Sequence, residues 1–98
     1  MSLFKSGPIV QTMGISILAA QSTENAKTIE RCLNRHLNGD WGDLCEEDKQ
    51  MNQDSLEAEK NGGYTDSLFS QYTCPFGDIY IITECDRSVT TILLAEEY

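Results

Sequence analysis

The sequence predicts a small, single α+β domain over residues 1–98, of order β-α-α-β-β-β, with its helices packed on one face of an antiparallel sheet. Three observations carry that prediction. Ninety-eight residues are the length of one domain. Ala26, Ile29, Leu33 and Leu37 recur at helical spacing and fall within an arc of about 80° when stepped at 100° per residue. From Leu68 onward the pattern changes to period two with β-branched residues, the mark of half-buried strands.

Taken in order, Gly7-Pro8 leads into Ile9-Val10-Gln11-Thr12, a short first strand, since proline at a strand start removes no ladder donor. Met13-Gly14 breaks it. The apolar run over 15–20 has no clear period and suits a buried strand or the start of a helix; we take it as the approach to the first helix. Ser22 or Thr23 caps that helix, Glu24 suits its positive end, and Gly39 suits its C′ position. The second helix covers about 44–60. Asp43 and Glu46 have capping-box spacing, and Asn61-Gly62-Gly63 stops the helix. Its apolar stripe of Leu44, Met51 and Ala58 is thin, so most of its circumference should be wet. Strands follow over 68–73, 79–84 and 89–94, joined by Cys74-Pro75-Phe76-Gly77-Asp78 and Cys85-Asp86-Arg87-Ser88 as an antiparallel meander. Phe69, Ile79, Ile81, Val89 and Leu93 are expected to form a core with Ile29, Leu33 and Leu37.

Composition excludes several function classes. Sixteen acidic and seven basic residues give a net charge of −9. That charge opposes direct binding to nucleic acid or to an anionic membrane, because both are polyanions, and favours a protein partner with a basic surface. No apolar run approaches the ~20 residues of a membrane span. The N-terminus has neither the apolar stretch nor the cleavage site of a signal peptide, so the chain reads as cytoplasmic. Cys32, Cys45, Cys74 and Cys85 form no C-x-x-C pair; they predict no metal site and read as reduced, partly buried small hydrophobes. The single histidine, His36, sits at the edge of the first helix's stripe and reads as structural. No signature of an activated nucleophile and no glycine-rich phosphate loop is present. The sequence therefore predicts no enzyme and no cofactor, and it sets no oligomeric state.

The charge is concentrated. Residues 40–66 hold nine acids and two bases, a net of −7, which leaves −2 for the other 71 residues. On a helix, Asp43, Glu46, Glu47, Asp54 and Glu57 share an arc of about 100°. A stripe of this kind suits a basic groove built for a nucleic-acid backbone; it equally suits a solvated face, with its first members favoured by the helix dipole. Trp41, beside Asp40 in the tight connector Gly39-Asp40-Trp41-Gly42-Asp43, likewise has two readings. It is an anchor between helices and sheet, or an aromatic hot spot ringed by carboxylates. The candidate protein-binding residues are thus Asp40, Trp41, Asp43, Glu46, Glu47, Asp54 and Glu57.

Three segments, "GPIVQT", "LNRHLNGDWGDLCEEDKQMNQ" and "IYIITECDRSVTTILLAEEY", together resemble a family of small proteins carried on plasmids and integrative elements of Firmicutes. The family is usually described as plasmid-related and is loosely labelled type I restriction enzyme subunit M. The resemblance covers most of the chain and is strongest at 33–52 and 79–98. Cys85 departs from it, standing where the family more often has Trp (T-E-W-D-R-S). A methyltransferase subunit needs a Rossmann-like domain and a motif such as N-P-P-Y, which 98 residues do not hold. What the resemblance implies is a mobile-element setting, in which small acidic proteins act against host restriction or CRISPR systems. An accessory module of a conjugation or replication complex, docking through the Trp41 loop, is the alternative.

Overall fold

Alternation in the C-terminal third sets the frame. In the computed structural model, which describes residues 3–63 and 65–98, β2 (Leu68–Tyr72), β3 (Ile79–Thr83) and β4 (Thr90–Leu94) form the expected antiparallel meander. β1 (Ile9–Gln11) joins the free side of β4 in parallel. The sheet is therefore mixed rather than wholly antiparallel, in the order β1-β4-β3-β2. A parallel neighbour needs a long crossover, and the three helices lie within it.

Register puts Leu68, Ser70 and Tyr72 beside Thr83, Ile81 and Ile79, and these beside Thr90, Ile92 and Leu94. This is the covered face. Two expected core residues belong to the other one: Phe69 and Leu93 occupy the intervening positions, where Leu93 is nonetheless buried and Phe69 meets the rings of Tyr80 and Tyr98. Val89 precedes β4, and Leu33 and Leu37 are half-buried.

The crossover contains one helix more than expected: α1 (Met13–Gln21), α2 (Thr23–Leu37) and α3 (Glu46–Lys60). Met13-Gly14 ends β1 by starting α1, whose N-cap Thr12 accepts from the Ile15 N–H at 3.4 Å. α1 is apolar nearly all round, so no helical period marked it as distinct from a buried strand. Ser22, in extended conformation, separates the two helices and caps α2 by accepting from the Asn25 N–H at 3.0 Å. α2 ends as expected, with Asn38 as C-cap and Gly39 at φ +82°.

α1 and α2 cover the sheet through Ile15, Ile29 and Cys32, packed on Tyr72, Ile79, Ile81 and Ile92. Burying each large aliphatic side chain stabilises the fold by about 1.5–3 kcal/mol. Cys32 and Cys74 lie in this cluster as free thiols with Sγ atoms 3.8 Å apart. Burial pushes both thiols up, Cys74 to about 12, so they pack as small apolar groups. Cys45 and Cys85, expected to be partly buried, are exposed.

A second cluster joins Phe4, Trp41, Leu44 and Leu68, with Leu56 and Phe69 against it. Between the clusters runs a buried polar chain. His36 Nδ1 contacts Ser70 Oγ, His36 Nε2 meets Thr83 Oγ1 at 2.9 Å, Thr83 meets Thr90 Oγ1 at 2.8 Å, and Thr90 donates to the Ser6 carbonyl at 2.8 Å. Desolvation lowers the His36 pKa to about 4, so the ring is neutral at pH 7 and both its nitrogens are engaged. Among the described residues no helix is long and apolar enough to cross a membrane.

Candidate acidic binding face

The connector 39–45 and α3 hold the seven predicted site residues, and the structure divides them into two groups. Trp41 and Asp43 close the outer edge of β2, with Asp40 beside them. The Gln71 N–H donates to the Trp41 carbonyl at 3.2 Å, and the Asp43 N–H to the Gln71 carbonyl at 2.7 Å. One carboxylate oxygen of Asp43 accepts from the Thr73 N–H at 3.0 Å and from its hydroxyl at 2.8 Å. Gly42 bridges Gln71 at φ +76°; any Cβ there would run into the Gln71 carbonyl, so only glycine fits this approach.

These contacts overturn one expectation and decide between two readings of another. Asp43 does not form a capping box with Glu46, because its carboxylate is spent on Thr73; Cys45 is the N-cap of α3, without a side-chain bond. Trp41 is not a surface hot spot. It is 3% exposed, stacked with Phe4 and edge-on to His36, as the anchor reading required. Its indole nitrogen has no hydrogen-bond partner among the described residues. Asp40 stays at the surface, paired with Arg35 at 2.7 and 3.2 Å. That guanidinium holds the Asp40 carboxyl below the usual carboxylate range.

Glu46, Glu47, Asp54 and Glu57 form the second group, all exposed on α3. They lie on the side opposite Asn52 and Ser55, the two buried residues of this helix. The expected apolar stripe does not hold α3: Met51 is 59% exposed. Leu56 packs on the second cluster, and polar side chains supply the rest of the attachment. The Asn52 amide donates to the Phe69 carbonyl at 2.7 Å and accepts from the Phe69 N–H at 3.2 Å, replacing the missing strand. Ser55 donates to the Asp66 carbonyl at 2.9 Å and accepts from its N–H at 3.0 Å.

Arg87, which the sequence places only in the turn 85–88, completes the mooring. Its guanidinium donates to Glu59 Oε1 at 3.0 Å, to Ser55 Oγ at 3.2 Å and to the carbonyls of Asp66 and Glu84 at 2.9 and 3.2 Å. The residue sits at φ +61°, a left-handed conformation costing an ordinary residue about 1–2 kcal/mol, which these bonds offset. A faint signal was present: Asn52, Ser55 and Glu59 are polar at i, i+3 and i+7, a row unsuited to apolar packing.

The face that results has little compensating charge. Lys49 reaches Glu46 at 3.8 Å from its margin, and Gln50 donates to Asp54 at 2.9 Å. Four carboxylates span eleven residue steps, about 16 Å at the rise of an α-helix. One strand of DNA carries a phosphate per about 3.4 Å of axis, so the linear densities are of the same order. His36 and Ser70, though in contact, are wholly buried, so no substrate reaches them in this conformation. Among the described residues no three His, Cys, Asp or Glu side chains converge as a metal would require. Comparison with protein-family models, with curated proteins and with solved structures finds no match.

Proposed function

We propose that this protein is a non-enzymatic, cytoplasmic inhibitor encoded by a mobile genetic element, which uses the outward face of α3 as a nucleic-acid mimic. Its partner is a protein with a basic nucleic-acid-binding site, of the kind a host restriction or CRISPR nuclease presents. The observation that carries this reading is the arc of Glu46, Glu47, Asp54 and Glu57, left free by a helix moored entirely through its other side. The sequence resemblance at 33–52 and 79–98 supports the same setting. The accessory-module alternative loses the aromatic it would dock through, since Trp41 is packed inside.

The test is a variant with Glu47, Asp54 and Glu57 all changed to Lys. Cells expressing the parent should accept restriction- or CRISPR-targeted DNA more readily than cells without it, and the variant should abolish that gain. Binding of the parent should weaken with rising salt, because exposed charges are screened over ~8–10 Å at physiological ionic strength, and should compete with DNA or guide RNA. A folded variant that protects as well as the parent, or a parent that never protects, ends the proposal and leaves a solvated face.

A further inference from the structure

Two of the four thiols meet inside the fold. Cys32, on the inner side of α2, and Cys74, in the turn after β2, are 5% and 9% exposed. Their Sγ atoms lie 3.8 Å apart although 42 positions separate them in the chain. They share the first cluster with Tyr72, Ile79 and Ile81, and Cys74 Sγ also faces the Tyr72 carbonyl at 4.0 Å. Cys45 and Cys85 are exposed instead, one as the N-cap of α3 and the other in the β3–β4 turn.

The buried pair is close to bonding distance. A disulfide holds its sulfurs at about 2.05 Å, so closure asks for an approach of roughly 1.8 Å, shared between two side chains. The chain can give on one side. β2 ends at Tyr72, so Cys74 is free of the strand ladder and belongs to a turn closed by the Gly77 N–H on the Cys74 carbonyl at 3.0 Å. Cys32 stays fixed within its helix.

We propose that Cys32 and Cys74 form a reversible redox lock, in which a hydroperoxide oxidises the pair to a disulfide that ties α2 to the end of β2. Cys74, the more exposed, reacts first. Its sulfur, as the thiolate, attacks the outer peroxide oxygen; the O–O bond breaks, an alcohol leaves (water, from hydrogen peroxide), and a sulfenic acid remains. The Cys32 sulfur then attacks the sulfenic sulfur, the S–S bond forms, and the displaced hydroxyl leaves as water with the Cys32 proton. The two thiols lose two electrons and two protons, and the hydroperoxide takes up both. Burial keeps the thiols protonated, so the reaction waits on local opening and is slower than at exposed Cys45 and Cys85.

The bridge would close a loop that holds the connector 39–45 and the whole of α3. Both ends of that loop already grip the connector. Arg35, almost one turn beyond Cys32, pairs with Asp40 at 2.7 Å, and the hydroxyl of Thr73, next to Cys74, donates to Asp43 at 2.8 Å. Oxidation thus fixes the segment that carries the acidic arc without touching the arc, and the lock stands whatever that face binds. Closing such a loop removes conformational freedom from the unfolded chain and stabilises the folded one. In a reducing compartment a pair of this kind cycles with the oxidant and does not stay bridged.

Hydrogen peroxide added to the folded protein carrying Cys45→Ser and Cys85→Ser should join Cys32 to Cys74 within one chain, as read by non-reducing peptide mapping. Dithiothreitol should reverse the change. The bridge should lower the unfolding equilibrium constant in urea about thirtyfold or more. If the double variant misfolds, the parent serves, with Cys45 and Cys85 first alkylated in the native state and the same map made after peroxide. Two outcomes overturn the proposal. One is a pair that stays as free thiols under peroxide that fully oxidises Cys45 and Cys85 of the untreated parent, which reduces it to packing. The other is a Cys32–Cys74 bridge that leaves stability unchanged or lowers it.

Discussion

α2 and α3 are both fifteen residues long, yet different forces hold them to the same sheet. α2 presents Ile29 and Cys32 to Ile79, Ile81 and Ile92, and its stability follows from apolar area removed from water. α3 buries Asn52 and Ser55 and is held by hydrogen bonds to Phe69 and Asp66, with Arg87 bracing it from the β3–β4 turn. The difference teaches how a small domain carries dense like charge. A helix whose outer face is acidic, and whose sequence has few apolar residues to bury, is retained by directional bonds to a strand edge that itself needs partners.

Breaking the apolar side should have the largest effect. Ile81→Ala removes a wholly buried side chain from the centre of the first cluster and should cost about 2–5 kcal/mol in urea unfolding followed by circular dichroism. A loss below about 1 kcal/mol would mean that this layer is not the main source of stability.

The buried histidine tests the seam between the two sides. Its folded pKa of about 4 lies below the ordinary 6.5, so the unfolded chain takes up a proton that the folded chain refuses. Stability should therefore fall as pH drops from about 6.5 to about 4, by about 3 kcal/mol, and the effect should level off below that. Titrating carboxylates add their own slope, so the measurement is the difference in urea midpoint between the parent and His36→Gln across this range. Parallel curves for the two proteins would contradict a neutral, desolvated ring.

The polar side should yield less. Asn52→Ala strands the outward N–H and C=O of Phe69 and should cost about 1–3 kcal/mol. Its signature should also be local, with α3 amides exchanging faster while those of α2 keep their protection. Loss of protection in both helices together would show that the two are not independently held.

Smallest of all is the acidic face itself. Replacing Glu47, Asp54 and Glu57 with Lys should shift stability by less than about 0.5 kcal/mol per like-charge pair relieved, with melting temperature as the readout. A large destabilisation would place these side chains in structural contacts that their exposure does not suggest.

Local rules accounted for much of this fold. The stripe of α2, its Ser22 cap and Gly39 stop, and the three alternating strands with their turns all rest on neighbours within a few residues. They were therefore legible before any tertiary contact was known. The outward face of α3 was legible for the same reason, since helical periodicity alone gathers Glu46, Glu47, Asp54 and Glu57 into one arc. α1 was not, because a run apolar on all sides carries no period, and only packing on α2 and β4 decides helix over strand. The sequence by itself also left open what Asp40, Trp41 and Asp43 do. Asp43 chooses between a helix N-terminus three residues away and the end of β2 thirty residues away, and the edge strand's unpaired amides settle that choice. The same holds for Arg87, whose partners come from α3, Asp66 and its own turn, and for His36, whose two nitrogens are satisfied by strands that meet it only in the folded chain. Secondary structure here follows from short-range sterics and hydrophobic spacing, whereas the polar residues take their roles from whichever long-range donor or acceptor would otherwise be buried without a partner.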